Sequence, residues 1–163
     1  MGCDLTLETG GGVLNVRVGA IIVRDGRVLM VRSAAGGYHY SVGGRVKMGE
    51  TSEQAVRRET LEELGVSLET DRLGFVHETR FRAVLGDGKE HDVYEICFYY
   101  YMKVPEGFEP LRRTVGGPAD EPLEWVPFGT DGTVYPLFFK TELAAPAAGV
   151  RHIVTDERTG RAP

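Results

Sequence analysis

The sequence predicts an α/β domain in which a mixed β-sheet is sandwiched between helices. Strand candidates outnumber helix candidates, several strands pair through short turns, and one strong helix separates the early strands from the long later ones. Short turns give antiparallel neighbours, whereas a helical connection permits a crossover to another part of the sheet. A sheet of mixed direction with helices on its faces is therefore expected.

The first predicted hairpin joins a strand from Val16 to Arg24 with a strand from Arg27 to Arg32. Both runs are rich in apolar residues, and Asp25-Gly26 between them is a strong two-residue turn signal. A short strand from Tyr38 to Val42 follows, and Gly43-Gly44 is expected to break it.

The strongest helix candidate runs from Thr51 to Leu64. Thr51 and Gln54 have the spacing of a capping box, in which the side chain of each residue accepts from the backbone N–H of the other. Gly65 is a natural stop, because glycine adopts the left-handed conformation that ends many helices.

The remaining elements complete the predicted sheet and add a second helix. Turn residues and proline separate them, and the second long strand is rich in tyrosine. These elements are the strands Leu73–Val84 and Glu90–Val104 with a turn at Gly86-Asp87-Gly88, a loop over Pro105–Glu121, the strand Leu123–Pro127 and a short helix over Pro136–Ala144.

The length of 163 residues fits a single domain. Residues 1–15 contain three consecutive glycines and little pattern, so we predict a flexible N-terminal lead-in there and one domain over residues 16–163. Met1-Gly2-Cys3 fits the loose pattern for N-myristoylation. The first 16 residues lack the basic patch that stable anchoring needs, so an unmodified terminus is preferred.

The net charge and the cysteine content argue against several classes of binding partner and several cellular locations. The formal net charge of −5 disfavours broad binding to nucleic acid or to an anionic membrane. Cys3 and Cys97 lack metal-binding spacing and are expected to be free thiols in a reducing compartment. No apolar run approaches the roughly 18 residues of a membrane span, and no secretory signal is recognisable. The expected location is the cytoplasm.

The predicted helix carries three carboxylates on one face. Glu59, Glu62 and Glu63 lie at positions i, i+3 and i+4, and Arg58 alone does not balance them. A solvated charged face is the ordinary explanation for a helix rich in Glu and Arg. The local excess of one sign, with a glycine pair just before the helix, instead favours a site for a hard divalent cation such as Mg²⁺.

The segment from Gly44 to Val66 resembles the Nudix box, the signature of the Nudix hydrolase family, with the MutT-like pattern. Thr60 departs from this pattern, since an aliphatic residue is usual there, and Val42 stands where many members have proline. The matching residues are Gly44, Glu50, Arg58, Glu59, Glu62, Glu63, Gly65 and Val66.

The resemblance implies a Nudix fold and a metal site. It implies that Glu59, Glu62 and Glu63 bind the metal and that the carbonyl of Gly43 is a further ligand. Glu50 resembles a supporting or metal-linked carboxylate. The expected cofactor is Mg²⁺, with Mn²⁺ as its substitute.

The catalytic roles implied by the resemblance fall on the same helix and on one loop. Arg58 is expected to orient the glutamates, and Glu62 and Glu63 are expected to take part in catalysis. Family members differ in the carboxylate that accepts the proton of water. Glu63 is one candidate, and Asp120 or Glu121 in the loop is another, with an exposed acidic loop as the alternative.

Substrate contacts are predicted at Arg32, Gly44, Tyr40 and Glu78. Arg32 ends a strand near the box and has an exposed edge cation as its alternative. Tyr40, like Tyr38, is placed to stack on a base or to pack at the rim of the core. Glu78 belongs to a group on two paired strands, with His77, His91 and Glu95, for which ordinary strand hydrogen bonds are the alternative.

The expected function is Mg²⁺-dependent hydrolysis of a nucleoside diphosphate linked to a group X, such as a nucleoside triphosphate, an ADP-ribose-like compound or a nucleotide sugar. Two alternatives stay open. One is a Nudix-fold isoprenoid diphosphate isomerase, which would need a reactive Cys97. The other is a non-catalytic nucleotide-binding regulatory module. The expected partner is a small nucleotide-type diphosphate, and the aromatic run Tyr99 to Tyr101 fits either a buried sheet or a homodimer surface.

Overall fold

The computed structural model describes residues 2–115 and 120–158, which form two mixed β-sheets with one long and one short helix. The elements in chain order are β1 (Thr6–Thr9), β2 (Gly12–Ile21), β3 (Val23–Arg24), β4 (Arg27–Arg32), β5 (Tyr38–Ser41), β6 (Gly43–Arg45), α1 (Ser52–Leu64), β7 (Thr70–Val84), β8 (Glu90–Met102), β9 (Leu123–Pro127), β10 (Thr133–Tyr135), α2 (Phe139–Glu142) and β11 (Arg151–Asp156).

The larger sheet has six strands in the order β1-β2-β8-β7-β11, and β6 also pairs with β2. The pairs β2–β8 and β7–β11 are parallel, whereas β1–β2, β2–β6 and β7–β8 are antiparallel. The smaller sheet has five strands in the order β10-β5-β4-β3, with β9 paired to β4. The mixed direction predicted from the sequence is confirmed, although the strands divide between two sheets.

The helices cover opposite faces of the larger sheet. The apolar side of α1 packs with Val18, Ala20 and other buried residues of one core cluster. On the other face, Phe139 at the start of α2 packs with Tyr99, with ring centroids 5.3 Å apart. The α/β/α arrangement is therefore confirmed. Neither helix is long and apolar enough to cross a bilayer, and this holds for the described residues as a whole.

The N-terminal segment differs from the predicted flexible lead-in over residues 1–15. The strand β1 pairs with β2 from Thr6↔Asn15 to Thr9↔Gly12, so the glycine run forms a hairpin turn. Gly12 has a φ of 145°, and a Cβ there would lie 2.3 Å from the carbonyl oxygen of Asp92. The order of this segment comes from pairing with β2, since β1 itself is exposed at every residue and shows no apolar pattern.

Two other boundaries also depend on partners that lie far away in sequence. Gly43-Gly44 was expected only to break the preceding strand, but Gly43–Arg45 forms β6 against β2. No element was predicted after Ala144, yet Arg151–Asp156 forms β11 against β7. The predicted helix over Pro136–Ala144 is reduced to the four residues of α2.

Candidate functional site

Both ends of α1 are capped as the sequence predicts. The backbone N–H of Gln54 donates to the Thr51 hydroxyl at 3.2 Å, and the Gln54 side chain accepts from the Thr51 N–H at 2.8 Å. At the other end Gly65 has a φ of 73°, and its N–H donates to the carbonyl of Leu61 at 3.0 Å. These local contacts fix where the helix begins and ends, and so fix which residues share its acidic face.

Thr60, the departure from the family pattern, is fully buried on the inner side of α1. Its hydroxyl donates to the carbonyl of Arg57 at 2.9 Å and accepts from the N–H of Leu68 at 3.1 Å. The hydroxyl thus satisfies a buried backbone donor after the helix. An aliphatic residue could not do this, so the departure has a structural role.

Arg58 contacts three carboxylates at once. It donates to Glu50 from Nε at 3.0 Å and from Nη2 at 2.6 Å, and its Nη1 donates to Glu59 at 2.6 Å and to Glu62 at 3.0 Å. These bonds hold the pKa of the Glu50 carboxyl below its usual range. The position suits the orienting role expected for Arg58, because a planar guanidinium fixes several acceptors in one geometry.

Glu59 is buried, and its carboxylate lies against the backbone of Gly44. A Cβ at position 44 would stand 2.4 Å from the Glu59 carboxylate, so only glycine leaves room for that side chain. Burial raises the pKa of Glu59, and the contact with Arg58 opposes that rise. The carboxylate is therefore held beside the glycine loop rather than in open solvent.

Glu63 faces the same loop. Its Oε2 accepts from the N–H of Gly43 at 3.0 Å. Burial raises the pKa of Glu63 to about 7; the Gly43 contact opposes that rise, and the charges of Glu59 and Glu121 add to it. A carboxyl with this pKa exchanges protons near neutral pH.

The glycine loop keeps its shape without the usual proline. Val42 is fully buried, and its carbonyl accepts from the N–H of Ala20 at 2.8 Å. Gly43 has a φ of 148°, and a Cβ there would lie 2.1 Å from the carbonyl oxygen of Val18. Close contact with β2 therefore sets the conformation of the loop.

The donor set of this region fits a hard divalent cation. The recorded bonds of Glu59 use Oε1 and those of Glu63 use Oε2, which leaves the second oxygen of each for another partner. Glu62 is about half exposed and shares Arg58 with Glu59. Within residues 2–115 and 120–158, however, no three acidic, histidine or cysteine side chains already stand at metal-site spacing. A cation would therefore replace part of the Arg58 contacts.

A cleft of about 850 Å³ has Arg17 and Glu121 in its lining, and the charges of these two residues act on the pKa of Glu63. Its floor consists of alternate residues of three neighbouring strands, because every second side chain of a strand faces the same side. The floor residues are Arg17 of β2, Glu95, Cys97 and Tyr99 of β8, and His77 and Thr79 of β7. The walls include Tyr38, Tyr40, Glu121 and Tyr135.

Tyr40 and Glu121 form one wall of the cleft. The Tyr40 hydroxyl donates to Oε2 of Glu121, and the N–H of Ala34 donates to Oε1 at 2.7 Å. Burial and the bond to Glu121 raise the pKa of the Tyr40 hydroxyl above its usual range. The two predicted candidates are thus brought together, with Tyr40 holding a carboxylate toward the cleft.

Asp120, the other loop candidate, points elsewhere. Its carboxylate pairs with Arg113 at 3.1 Å, and both side chains are exposed. Glu121 instead lines the cleft, and its backbone N–H donates to the hydroxyl of Thr114 at 3.1 Å. Of the two neighbours, only Glu121 is placed where it could act on a bound molecule.

The two arginines in the cleft lining, Arg17 and Arg82, do not include Arg32, which we predicted from the sequence. Arg32 pairs with Glu124 at 3.3 Å on the outside of the smaller sheet, and it is absent from the described cleft lining. Arg17 lies on the cleft floor, 3.9 Å from Glu95. The alternation of polar Asn15 and Arg17 with apolar residues in β2 was the signal that could have identified it.

Glu78 also lies away from the cleft. It accepts from the hydroxyl of Tyr94 and contacts His152 at 2.6 Å on the opposite face of the sheet, because neighbouring residues of β7 point to opposite sides. His77 faces the cleft instead. His91 is bound to Asp87 at 2.9 Å near the turn before β8.

Cys97 lies at the bottom of the cleft, and burial raises the pKa of its thiol to about 12. The thiolate is the reactive form of cysteine, so this environment suppresses nucleophilic chemistry. Cys3 is exposed, and both cysteines are free thiols.

A model of the NUDIX domain matches residues 13–130, which is more than half of the chain. The MutT-like protein of Streptomyces ambofaciens is 38% identical over 72 residues, covering 44% of this chain and 47% of that protein. The oxidized purine nucleoside triphosphate hydrolase of Danio rerio is 45% identical over 53 residues, covering 31% and 34%. This chain spans less than half the length of these two curated relatives.

The fold is also similar to solved structures of this family. The MutT NUDIX hydrolase from Burkholderia pseudomallei superposes with a TM-score of 0.52 and 31% sequence identity, covering 80% of this chain and 95% of that chain.

Proposed function

Since the chain belongs to the NUDIX domain family, we propose that it is a Mg²⁺-dependent hydrolase that cleaves the diphosphate linkage of a nucleoside diphosphate linked to a group X. The relative from Danio rerio is named for a purine nucleoside triphosphate. That name supports a nucleoside triphosphate as the first substrate to test.

One observation carries this proposal. Glu63 of α1 accepts from Gly43 of the glycine loop, and it lies close enough to the cleft for the charges of Arg17 on the floor and Glu121 on the wall to act on its pKa. A diphosphate needs cations to neutralise it and a carboxylate to accept a proton from water. Both kinds of group are present around one cavity large enough for a nucleotide.

Glu59, Glu62 and Glu63 would hold the metal, with the carbonyl of Gly43 as a further oxygen ligand. The chemistry that Mg²⁺ supplies when bound is neutralisation of phosphate charge and activation of water. Arg58 keeps the glutamates in place through its bonds to Glu59 and Glu62.

The proton of water would pass to a carboxylate, and two side chains compete for this role. Glu63 has a pKa of about 7 in the metal-free structure, which suits proton exchange. Glu121 is held toward the cleft by Tyr40 and Ala34. Metal binding would lower the pKa of Glu63 and engage its oxygens, which favours Glu121 as the base in the loaded enzyme.

The isomerase alternative requires a reactive cysteine in the pocket, and the raised pKa of Cys97 argues against it. A purely regulatory binding module would not need the carboxylates of α1, and all of them are retained. Location in the cytoplasm and assembly into a homodimer stay predictions.

The test is turnover of a panel of nucleotides, with Mg²⁺ or with EDTA, measured as released phosphate. Nucleoside triphosphates are coupled to a pyrophosphatase, and ADP-ribose-like compounds and nucleotide sugars are coupled to alkaline phosphatase, which acts on their phosphomonoester products. Glu62→Gln should lower turnover about 10- to 100-fold. Glu106→Gln, at an exposed position outside α1 and outside the cleft lining, serves as the matched control. Failure to hydrolyse any diphosphate compound, or full activity of Glu62→Gln and Glu63→Gln, would rule out the proposed reaction.

A further inference from the structure

The strand β11 supports the floor of the cleft from the side of β7, although it lies beyond the residues 13–130 that match the family model. It runs parallel to β7, with Ile153 opposite His77 and Thr155 opposite Thr79. Glu157, which follows β11, also lines the cleft. The edge of the cleft floor at β7 is therefore bordered by β11, and Glu157 after β11 adds to the lining.

A chain of hydrogen bonds links this strand to the floor of the cleft. The Thr155 hydroxyl donates to the Thr79 hydroxyl at 2.9 Å and contacts Nε2 of His77 at 2.9 Å. Thr155 has one hydroxyl proton, and the bond to Thr79 uses it. Thr155 must then accept a proton from His77, which makes Nε2 the protonated ring nitrogen and leaves the lone pair on Nδ1.

The ring of His77 is fixed in orientation and in charge. It is 5% exposed and packs edge-on against Phe138, with centroids 5.2 Å apart. Tyr99 lies on another side, with centroids 6.4 Å apart. Burial lowers the pKa of His77 to about 4, so the ring is neutral at neutral pH. Nδ1 is therefore a fixed acceptor, and the only ring nitrogen left for a molecule in the cleft.

The surroundings of His77 favour a flat group that carries N–H donors. Tyr38 and Tyr135 meet edge to face in the cleft wall, with centroids 5.5 Å apart, and offer aromatic contact. Glu95 and Glu157 add carboxylate acceptors to the lining. The strand β7 lies two strands away from β2, about 10 Å at the usual spacing. That separation allows a base at His77 while the phosphates lie near Arg17 and the glycine loop.

We propose that His77 is a specificity-determining residue whose Nδ1 accepts a hydrogen bond from the amino group of a purine base, and that Thr155 is the residue that positions it. The inference rests on the proposed function for the identity of the ligand as a nucleotide. The arrangement of His77 and Thr155 does not depend on turnover.

The tautomer is tested first, on the wild-type protein. Long-range ¹H–¹⁵N correlation spectra distinguish a protonated nitrogen from a bare one in a histidine ring, and His77→Phe assigns the signals. We expect Nε2–H for His77 in the wild type and in Thr155→Ser, and a mixture of tautomers in Thr155→Val. A wild-type ring protonated on Nδ1 would overturn the proposal without any assay of activity.

The recognition is tested with nucleotide pairs that differ by one amino group, namely ATP with purine riboside triphosphate and GTP with inosine triphosphate. For the better substrate pair, loss of the amino group should lower kcat/KM of the wild type about tenfold. In Thr155→Val and His77→Phe, the ratio of kcat/KM with the amino group to kcat/KM without it should fall to about two. The change should come from a higher KM for the nucleotide that carries the amino group, with little change in kcat. Thr155→Ser should restore the discrimination.

Val154→Thr is the matched control, because it adds a hydroxyl on the exposed side of the same strand. Equal kcat/KM values of the wild type for both nucleotides of a pair, or an unchanged ratio of these values in Thr155→Val, would contradict the proposal. If no nucleotide is hydrolysed, the proposed function fails instead. Calorimetric binding of the same pairs then tests the role of His77 by itself.

Discussion

The guanidinium of Arg58 donates two hydrogen bonds to the carboxylate of Glu50, at 2.6 and 3.0 Å. Glu50 precedes the helix and Arg58 lies in its middle, so this pair ties the loop to α1 independently of the backbone. The remaining Arg58 nitrogen is then aimed at Glu59 and Glu62. The pair therefore sets the geometry of the acidic face before any metal binds.

Replacement of Arg58 by lysine should lower kcat about 10- to 100-fold, because lysine keeps the charge but cannot donate to Glu50 and Glu59 in the same fixed geometry. Steady-state kinetics at saturating Mg²⁺ measure the effect. Arg57→Lys is the control, since that side chain is exposed on the same helix. Equal activity of the two variants would show that the orienting role is mistaken.

Gly44→Ala should inactivate the enzyme by moving Glu59, whose carboxylate would lie 2.4 Å from the new Cβ. The protein should still fold, because the carboxylate is the end of a flexible side chain. Thermal shift by added Mg²⁺ and turnover should both decrease. Gly86→Ala, where a Cβ meets no atom within 4 Å, should leave both unchanged. A Gly44→Ala enzyme with a normal Mg²⁺ response would disprove this placement of Glu59.

Glu63→Gln should stabilise the metal-free protein while removing activity. The folded-state pKa of Glu63 is raised to about 7, so its ionisation costs stability progressively as pH rises from the unfolded value toward 7 and above. The amide avoids this cost of about 3 kcal/mol, so the variant should melt about 6 to 12 °C above the wild type at pH 8 in EDTA. The difference should vanish near pH 4.5, and a lower melting temperature at pH 8 would refute the argument.

Tyr40→Phe tests whether Glu121 takes part in the reaction. The variant removes the hydroxyl that donates to Glu121 but keeps the ring, so kcat should fall about tenfold if Glu121 is the base. Tyr38→Phe is matched in chemistry and also lines the cleft. The base would be assigned to Glu63 if both variants kept wild-type kcat.

His77 should make folding sensitive to acid. Its folded-state pKa of about 4 lies below the ordinary value of 6.5, so between these pH values the unfolded chain binds a proton that the folded chain does not. Stability contributed by the neutral ring is present above pH 6.5 and is lost as pH falls toward 4, by about 3 kcal/mol in total. Denaturant unfolding of the wild type and His77→Phe from pH 4 to 7 measures it, with His91→Gln as control. Parallel profiles for wild type and His77→Phe would contradict the assignment.

Elements determined by neighbouring residues were predictable from the sequence. The caps of α1 depend on Thr51, Gln54 and Gly65, which act within one turn, and β4 has the predicted bounds Arg27–Arg32. The set of carboxylates on α1 follows from helical spacing alone. These features need no knowledge of what the rest of the chain does.

Features that depend on distant pairing were not predictable in the same way. Whether Arg17 or Arg32 faces the cleft depends on which face of its sheet each side chain occupies. A shift of one residue in strand register would turn each side chain to the opposite face. Because neighbouring residues of a strand face opposite sides of the sheet, His77 lines the cleft and Glu78 lies on the other face. The pairing of β11 with β7 had no local signal, because its register is set by a strand more than seventy residues earlier.

That separation gives the protein an order of assembly during synthesis. His77 and Thr155 are 78 positions apart, so the ribosome completes α1 and the long hairpin of β7 and β8 well before it makes the strand that contacts the histidine. A nascent chain stalled near residue 130 would already possess the acidic face of α1 yet lack Thr155. The hydrogen bond proposed to position His77 would thus form only after the strands of the cleft floor have been made.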